Sequence, residues 1–478
     1  MMRLPLLTVA VVGHTNTGKT SLLRTLTRDV GFGQVSDRPA TTHHVEGTSV
    51  LLDGRTVMEL FDTPGLEDSI GLLDHLDALA ADRRVEGIDV LNQFLQSAEA
   101  WGRFSQEAKA IRQVIRSDIA LYVIDARDRV LGKHRDELEI LSRCATPVVP
   151  VLNFTADPDA KVPTWREHLA RVNMHAVAEF DTVVLDEASE QRLYEKMRTM
   201  LDSHEQTLRA LIEERRRQRV ALIQASADVI GDLLIDVAAH AVCVRVSSSQ
   251  EAAEALQALR ERVRLREQRG VDQLLELFRF RPDDCPLEAG ALINGQWGLD
   301  LFSPEALKQF GLHAGGAAAA GAVVGLVLDV MAGGATLGAA TAAGATIGGL
   351  IGAGRTHGRR LIRRARGSTE LRCEDATLRL LALRQIMLTR ALLHRGHADM
   401  NPLPGPTSRR FSLSKRASPH LPLSLQQAKM RSHWSRLGSL ADSTLRGSDP
   451  ARQTAQGALA KTIAAIVQRP SDADIEFP

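Results

Sequence analysis

The sequence predicts an α/β fold with a doubly wound sheet in its first 185 residues, followed by a mostly α-helical C-terminal part. Apolar runs of strand length at 6–12, 118–125 and 147–153 alternate with stretches of helical spacing, and 174–180 resembles a last strand. Strands alternating with helices form sheets whose sites lie at the carboxyl ends of the strands. After residue 186, apolar side chains recur every three or four residues, which indicates long helices.

A chain of 478 residues is too long for one ordinary core, so several domains are expected. Shifts in composition place the α/β domain at 1–185 and a long-helix region at 186–310. A glycine-rich hairpin with a basic helical region is expected at 311–400. The remaining residues, 401–478, have the composition of a Pro/Ser/Arg-rich tail with one short helix.

The first strand leads directly into a glycine-rich motif. Residues 13–20 read Gly-His-Thr-Asn-Thr-Gly-Lys-Thr, which fits G-x-x-x-x-G-K-[ST] between a strand and a helix. Backbone N–H groups of such a loop and the positive end of the following helix face a bound phosphate. Lys19 would reach the β- and γ-phosphates and the Thr20 hydroxyl would ligate Mg²⁺. The expected nucleotide-contacting residues here are Gly13, His14, Thr15, Asn16, Thr17, Gly18, Lys19, Thr20 and Ser21.

Two strand-like runs, 45–52 and 55–61, flank Asp-Gly at positions 53 and 54 and predict a β-hairpin. The second run ends in Asp-Thr-Pro-Gly at 62–65. An acidic residue at the end of a strand beside a phosphate loop suits a direct or water-mediated Mg²⁺ contact, so Asp62 is a candidate metal ligand. The N–H of Gly65 can meet a γ-phosphate.

Together with Thr42 in Thr-Thr-His-His at 41–44, these motifs resemble the Era-like, translation-factor-class P-loop GTPases, which include tRNA-modifying GTPases. The resemblance covers residues 6–185. It implies that Thr42 is a switch threonine closing on Mg²⁺, that Asp62 holds Mg²⁺ through water, and that Gly65 senses the γ-phosphate. Lys19, Thr42 and Gly65 are the candidate catalytic residues.

Two positions bear on hydrolysis. Leu66 stands where Ras-like proteins have the glutamine that orients the attacking water, and an aliphatic side chain cannot orient water. In tRNA-modifying relatives, an asparagine at the fourth position of the loop helps to bind a catalytic K⁺. Asn16 occupies that position here, so K⁺ is a candidate cofactor; alternatively, Asn16 is only a residue that suits a turn.

The guanine-reading motif departs from the pattern that the resemblance implies. The expected Asn-Lys-x-Asp is replaced by Asn-Phe-Thr-Ala-Asp at 153–157. Asn153 fits, whereas the carboxylate of Asp157 comes one residue late and no fifth motif is identifiable. Asp157 reaches the base if the loop bulges; otherwise base specificity is relaxed.

The segment 314–354 is rich in Ala and Gly and contains one charged residue, Asp329. Its glycines recur at four-residue spacing, typical of a glycine zipper in which helices approach closely. Six arginines follow, at 355, 359, 360, 363, 364 and 366. Two interpretations remain open: a hairpin that lies on or inserts into a membrane through 314–366, or a tightly packed helical pair in a soluble core.

The net charge of +1 hides an asymmetry, because residues 355–478 contain 22 Lys and Arg against 9 Asp and Glu. This basic part favours an anionic partner. Aromatic residues make up 4% of the chain, which argues against a base-stacking platform. The four dispersed cysteines predict free thiols, and no signal peptide is recognised, so we expect a cytoplasmic protein, peripheral at the inner face of the cytoplasmic membrane in the first interpretation.

The whole layout resembles a bacterial family that joins an Era-like domain to a helical C-terminal domain of unknown function. The leading hypothesis is a GTPase that uses Mg²⁺ and acts as a nucleotide-dependent switch at a membrane or partner protein, with a nucleotide-dependent dimer as one form of partner. The alternatives are an RNA-binding assembly GTPase and a nucleotide-binding scaffold with negligible turnover.

Overall fold

A computed structural model describes the parts of the chain on which the fold rests. The described residues are 4–28, 45–80, 85–184, 187–245, 249–280, 292–293, 296–309, 312, 326–327, 368–395, 420–437, 449–469 and 477. The chain divides into two compact units. Unit 1 comprises Met1–Arg219 and Leu393–Met400, and unit 2 comprises Val220–Leu392 and Asn401–Pro478.

Unit 1 is built on a six-stranded sheet. Its strands are β1 (Leu7–Val12), β2 (Glu46–Leu52), β3 (Arg55–Asp62), β4 (Ile119–Asp125), β5 (Val148–Asn153) and β6 (Ala178–Glu179). The spatial order is β2-β3-β1-β4-β5-β6, and all neighbours are parallel except the β2–β3 hairpin. β1 lies between β3 on one side and β4 on the other. The order of the strands therefore changes direction at β1, and its carboxyl end is the switch point of the sheet. The doubly wound sheet and the hairpin turn are confirmed.

Eight helices accompany this sheet in the described part of the chain. They are α1 (Lys19–Thr27), α2 (Ser69–Ala80), α3 (Gly87–Leu95), α4 (Ser105–Arg116), α5 (Gly132–Ser142), α6 (Val162–Arg171), α7 (Glu187–Arg198) and α8 (Glu205–Ala239). Alternate residues of β1 point to opposite faces. Val9 belongs to a core cluster with α1 and α7, whereas Ala10 belongs to a second cluster with α2 to α6.

Helices after residue 185 also pack on the sheet of unit 1. Leu193, Tyr194 and Met197 of α7 are buried in the same cluster as β1, and Leu208 of α8 joins them. These apolar side chains cover one face of the sheet. The helical pattern after residue 186 therefore begins inside unit 1.

Unit 2 is mainly helical in the residues described. Its further elements are β7 (Ala241–Arg245), α9 (Ser249–Leu277), β8 (Leu292–Ile293), β9 (Gln296–Trp297), α10 (Pro304–Gln309), β10 (Leu326–Val327), β11 (Ser368–Cys373), α12 (Asp375–Leu393), α13 (Leu423–Met430) and α14 (Pro450–Val467). α9 is one of the long helices expected after residue 186, and α14 lies in the part of the chain, 401–478, where one short helix is expected. No described helix is long and apolar enough to cross a membrane.

The described part of unit 2 also contains an antiparallel sheet within a region that is mostly α-helical, as expected. Its order is β10-β11-β7, with Glu370 paired to Cys243 and Leu326 paired to Cys373. Within the basic helical region expected at 311–400, residues 368–373 form the central strand, and the helix α12 begins at Asp375. Leu326–Val327 lies in a strand where the glycine spacing predicted helix; the rest of 314–354 lies outside the described residues.

Unit 2 also buries a cluster of charged side chains. Arg266 of α9 donates to Asp232 and Asp236 of α8 at 3.0 Å each. Arg452 of α14 lies 2.8 Å from Asp232 and 2.9 Å from Asp236. Removing one partner of a buried ion pair leaves an uncompensated charge and is strongly destabilising. Loss of any one of these side chains should therefore destabilise the packing of the three helices.

Candidate functional site

The loop after β1 has the backbone of a phosphate-binding loop. Gly13 has φ 142° and Gly18 has φ 90°, both in the region that favours glycine, and the exposed Asn16 has φ 65°. A Cβ at Gly13 would collide with the carbonyl oxygen of Val123, and one at Gly18 would collide with the side chain of Asn153. Larger residues are thus excluded at both glycines of the motif.

Lys19, the first residue of α1, is buried beneath this loop. Its Nζ donates to the carbonyl oxygens of Gly13 at 3.1 Å and His14 at 2.8 Å. Burial lowers the pKa of Lys19, and the nearby carboxylates of Asp62, Glu137 and Glu67 oppose that shift. The ammonium group is therefore held by loop carbonyls that a phosphate would replace.

Thr20 and Asp62 meet at the N-terminus of α1. The Thr20 hydroxyl donates to Asp62 Oδ2 at 2.5 Å. Asp62 Oδ1 is buried and receives no hydrogen bond from the described residues. Burial raises the pKa of Asp62, while the hydrogen bond from Thr20 and the charge of Lys19 lower it. An unbonded carboxylate oxygen beside a hydroxyl is a donor set that fits Mg²⁺.

The segment after β3 lies against the phosphate loop. A Cβ at Gly65 would lie 2.7 Å from Thr15 Oγ1 and 3.1 Å from Thr15 N. The Thr15 hydroxyl also donates to Glu67 Oε1 at 3.2 Å. The Leu66 side chain is fully buried in the core, so it does not face the phosphate position. The structure thus brings Gly65 beside the loop, as the motif predicts.

A buried network behind the loop was not found from the sequence. His14 Nδ1 lies 3.1 Å from Glu137 Oε1 and 3.3 Å from the Leu66 carbonyl oxygen. The Tyr122 hydroxyl donates to Glu137 Oε2 at 2.6 Å, and burial raises the pKa of Tyr122 well above its ordinary value. Since both neighbours of Nδ1 are acceptors, this nitrogen carries a hydrogen. The signal in the sequence is a charged residue on the apolar face of α5, next to Leu138.

Asn153, at the end of β5, connects the loop to the opposite end of the site. Its Nδ2 donates to the carbonyl oxygen of Thr17 at 2.9 Å, and its Oδ1 accepts from Phe154 N at 2.9 Å. Oδ1 also accepts from Thr182 N at 3.0 Å and Thr182 Oγ1 at 3.1 Å. The fully buried amide of Asn153 therefore bonds to the phosphate loop through its nitrogen and to residues 154 and 182 through its oxygen.

The segment after β6 completes this end of the site. Asp181 accepts from Ala156 N at 2.8 Å and from Val183 N and Val184 N at 2.9 Å each. With Thr182, it holds the 181–184 segment against the loop that follows β5. Neither residue was expected from the sequence, although both stand just after the last strand, where site residues of a parallel sheet lie.

Asp157 lies in a group that the sequence did not suggest. Arg127 makes a bidentate pair with Asp125, at 2.9 and 2.7 Å, and its Nη1 lies 3.8 Å from Asp157 Oδ2. The guanidinium carbon is 4.1 Å from the centroid of the Phe154 ring. Hydrogen bonds from Arg127 to Asp125 raise the pKa of Arg127, and the charges of Asp125 and Asp157 add to this. Phe154 occupies the place of the expected lysine.

The structure brings together the residues expected at 13–21 with Asp62, Gly65 and Asn153, and it places Asp157 beside Phe154. Ser21 lies in the first turn of α1. Thr42 lies outside the described residues. Among the residues described, no cluster of three or more His, Cys, Asp and Glu could hold a metal, so a metal here would rely on Asp62 and hydroxyl oxygens.

Comparisons with known proteins agree with this geometry. Residues 8–154 match the family described as 50S ribosome-binding GTPase, and residues 166–461 match the family described as domain of unknown function (DUF3482). No curated protein sequence matches the chain.

Solved structures with a similar fold include Era in complex with MgGDPNP and nucleotides 1506–1542 of 16S ribosomal RNA, at 16% identity and a TM-score of 0.31. A variant of Aquifex aeolicus Era bound to GDP·AlF4⁻ has 16% identity and a TM-score of 0.29. Each alignment covers 42% of this chain and 57% of the Era chain. A bacterial selenocysteine-specific elongation factor has 15% identity and a TM-score of 0.27, over 42% of this chain and 29% of its own.

The expected combination of an N-terminal GTPase domain with a C-terminal domain of unknown function is confirmed by the two family matches. The chain spans 57% of the length of each Era structure. The chain belongs to the family described as domain of unknown function (DUF3482), and its N-terminal part is a P-loop GTPase domain.

Proposed function

We propose that unit 1 binds GTP with Mg²⁺ and hydrolyses it to GDP and phosphate. The observation that carries the proposal is the pairing of Thr20 with Asp62 at 2.5 Å, at the N-terminus of the helix that follows the glycine loop. A hydroxyl and a carboxylate at this position, above a buried lysine, suit a metal–triphosphate complex.

Thr20 and Asp62 would hold the Mg²⁺, with Thr42 as a further proposed ligand. The ion would neutralise charge on the phosphate oxygens. The buried Asp62 Oδ1, unbonded within the described residues, is the atom that supports this assignment.

The chain's own groups supply the remaining stabilisation. Lys19 would exchange the carbonyl oxygens of Gly13 and His14 for phosphate oxygens, and backbone N–H groups at the start of α1 would donate to the same anion. The N–H of Gly65 would meet the γ-phosphate. These donors act on charge that develops as water attacks in line with the leaving oxygen.

Because the Leu66 side chain is buried and aliphatic, the attacking water must be oriented by another group. We propose K⁺ near Asn16 as a contributor to charge stabilisation. Turnover measured in KCl and in NaCl at equal ionic strength tests this, and we expect faster hydrolysis in KCl. Equal rates would exclude a role for K⁺.

The decisive experiment for the main proposal is release of phosphate from GTP and from ATP by the full chain, with Mg²⁺ and with EDTA. We expect Mg²⁺-dependent release from GTP and much less from ATP. Lys19→Ala is the control for a contaminating hydrolase. GTP binding without turnover would favour the scaffold alternative. Absence of binding to both GTP and ATP would exclude a nucleotide-dependent function.

We further propose that the nucleotide state controls binding to an anionic membrane surface through 314–366. The support comes from the sequence, namely a segment with the single charge Asp329 followed by six arginines. Co-sedimentation with anionic vesicles, with GTP or GDP, should show binding that is lost on deletion of 314–354. RNA binding that weakens steeply with salt, without vesicle binding, would contradict this and favour the RNA-binding alternative.

A further inference from the structure

Phe154 and Arg127 have no role in the function proposed above, yet both lie at the base end of the site. Phe154 has φ 56°, a left-handed conformation that is uncommon for a side chain of this size. Its ring is partly exposed, and a Cβ at Gly18 would lie 3.3 Å from its Cζ. The ring therefore stands next to the end of the phosphate loop.

Arg127 is fixed from several directions. Its guanidinium is bound to Asp125, whose side chain is buried at the end of β4. Its carbonyl oxygen accepts from Lys161 Nζ, and Lys161 N donates to the Ala126 carbonyl oxygen at 2.7 Å. The two loops that carry Arg127 and Asp157 are thus held together on both sides of the arginine.

The charges in this group leave one carboxylate accessible. Asp125 and Asp157 would repel each other without the guanidinium between them. The Asp125 side chain is only 10% exposed and takes both side-chain hydrogen bonds from Arg127, whereas the Asp157 side chain is 35% exposed and its Oδ2 lies 3.8 Å from Arg127 Nη1. Asp157 Oδ1 accepts from Asp159 N at 2.9 Å, and Oδ2 is the oxygen near Arg127. The carboxylate is therefore held from both sides and stays partly exposed, with lone pairs left for a ligand.

A purine can use both features. Nucleic-acid bases stack on aromatic rings regardless of sequence, and a cation over the opposite face of the ring adds a cation–π contact. The N1 and N2 donors of guanine need an ionised carboxylate, since a carboxylate is an acceptor-only group. Adenine offers no matching pair of donors on that edge.

We propose that Phe154 and Arg127 determine the base specificity of this site: Phe154 stacks on the purine, and Arg127 holds both the ring and the Asp157 carboxylate in place for the N1 and N2 donors of guanine. Arg127 is a positioning residue, because it acts through Phe154 and Asp157. This inference rests on the proposed function.

The test is competition binding against a fluorescent GDP analogue on the full chain. GDP, IDP and ADP are the competitors, because hypoxanthine lacks only the exocyclic amino group of guanine. The wild type should prefer GDP over IDP by about tenfold, the value of one well-formed polar contact to a base edge.

We expect Arg127→Ala to remove most of this preference and Arg127→Lys to restore part of it, because lysine keeps the charge but not the bidentate geometry. Phe154→Leu should weaken GDP and ADP alike, by about tenfold, through lost stacking. Arg129→Ala, which removes the same charge from an exposed position in the same loop, is the control.

A double mutant separates positioning from general damage. If Arg127 acts through Asp157, the variant Arg127→Ala/Asp157→Asn should discriminate GDP from IDP no worse than Asp157→Asn alone. An unchanged GDP/IDP ratio in both Arg127→Ala and Arg127→Lys would overturn the inference, and if Arg127→Ala does not fold, Arg127→Lys and Phe154→Leu decide it. A wild type that binds no GDP would instead overturn the proposed function.

Discussion

The phosphate end and the base end of the site in unit 1 are built in different ways. At the phosphate end, one continuous stretch of eight residues provides glycines, lysine and hydroxyl in the order of a known motif. At the base end, the side chains come from the end of β5 and from the segments that follow β4, β5 and β6, namely Arg127, Asn153, Phe154, Asp157 and Thr182. Phosphate binding through backbone groups depends on the spacing of residues within one motif. Base binding through side chains from several segments can be achieved with different residues at different positions.

Lys19→Ala tests the phosphate end most directly and has the largest expected effect. Loss of a charge-assisted contact to phosphate should weaken GTP binding by at least about 100-fold, equivalent to about 3 kcal/mol. Fluorescent-nucleotide titration measures the loss, and circular dichroism checks that the fold is retained. Arg55→Ala, an exposed change of the same charge, is the control. Near-normal affinity for GTP in Lys19→Ala would show that Lys19 does not contribute to phosphate binding.

Asn153→Ala tests the residue shared by both ends. It leaves the Thr17 carbonyl oxygen and the Thr182 N–H without a partner, so the free energy of unfolding should fall by about 2 kcal/mol. Denaturant unfolding measures this, with the exposed Asn92→Ala as the control. If stability were unchanged but GDP binding lost, Asn153 would act on the nucleotide alone.

Glu137→Gln tests the support behind the phosphate end. An amide can keep one acceptor but places an NH2 group toward either His14 or the Tyr122 hydroxyl. We expect a loss of about 1 to 2 kcal/mol in unfolding free energy and a weaker affinity for GTP. Glu139→Gln, exposed on the same helix, provides the comparison. An effect on stability with unaltered nucleotide affinity would show that the network only supports the fold.

Thr182→Val has the smallest expected effect, because it removes one hydroxyl while the backbone contact of Thr182 to Asn153 remains. Unfolding free energy should fall by about 1 kcal/mol, with a modest loss of GDP affinity. Equilibrium unfolding and titration with fluorescent GDP measure the two quantities. A larger loss of affinity than in Asn153→Ala would mean that Thr182 contributes to the base end independently.

The same contrast explains what the sequence could predict. Gly13, Lys19 and Asp62 were predictable because each belongs to a short motif attached to a strand. Arg127 and Thr182 were not, since their contacts with Phe154 and Asn153 join segments that follow different strands, and the left-handed turn at Phe154 has no sequence signature of its own.

Domain structure was predictable only in part. The helical spacing after residue 186 is correct, but spacing alone does not show that Leu193 packs on the sheet of unit 1. The strands Ala241–Arg245 and Ser368–Cys373 were missed because each is short and directly followed by a helix or a brief connection to one. Their pairing spans more than a hundred residues and is invisible to local periodicity.

During synthesis of the chain, the buried charges of unit 2 are made at widely different times. Asp236 and Arg452 are separated by 216 residues, so at ordinary rates of translation the aspartate is made about 10 to 40 s before its arginine. Among the described partners of Asp232 and Asp236, Arg266 is made early, whereas Arg436, which lies 3.4 Å from Asp232, is made only shortly before Arg452. Helix α8 cannot complete its packing in unit 2 until α14 has been synthesised. We therefore expect nascent unit 2 to depend on chaperones more than unit 1 does.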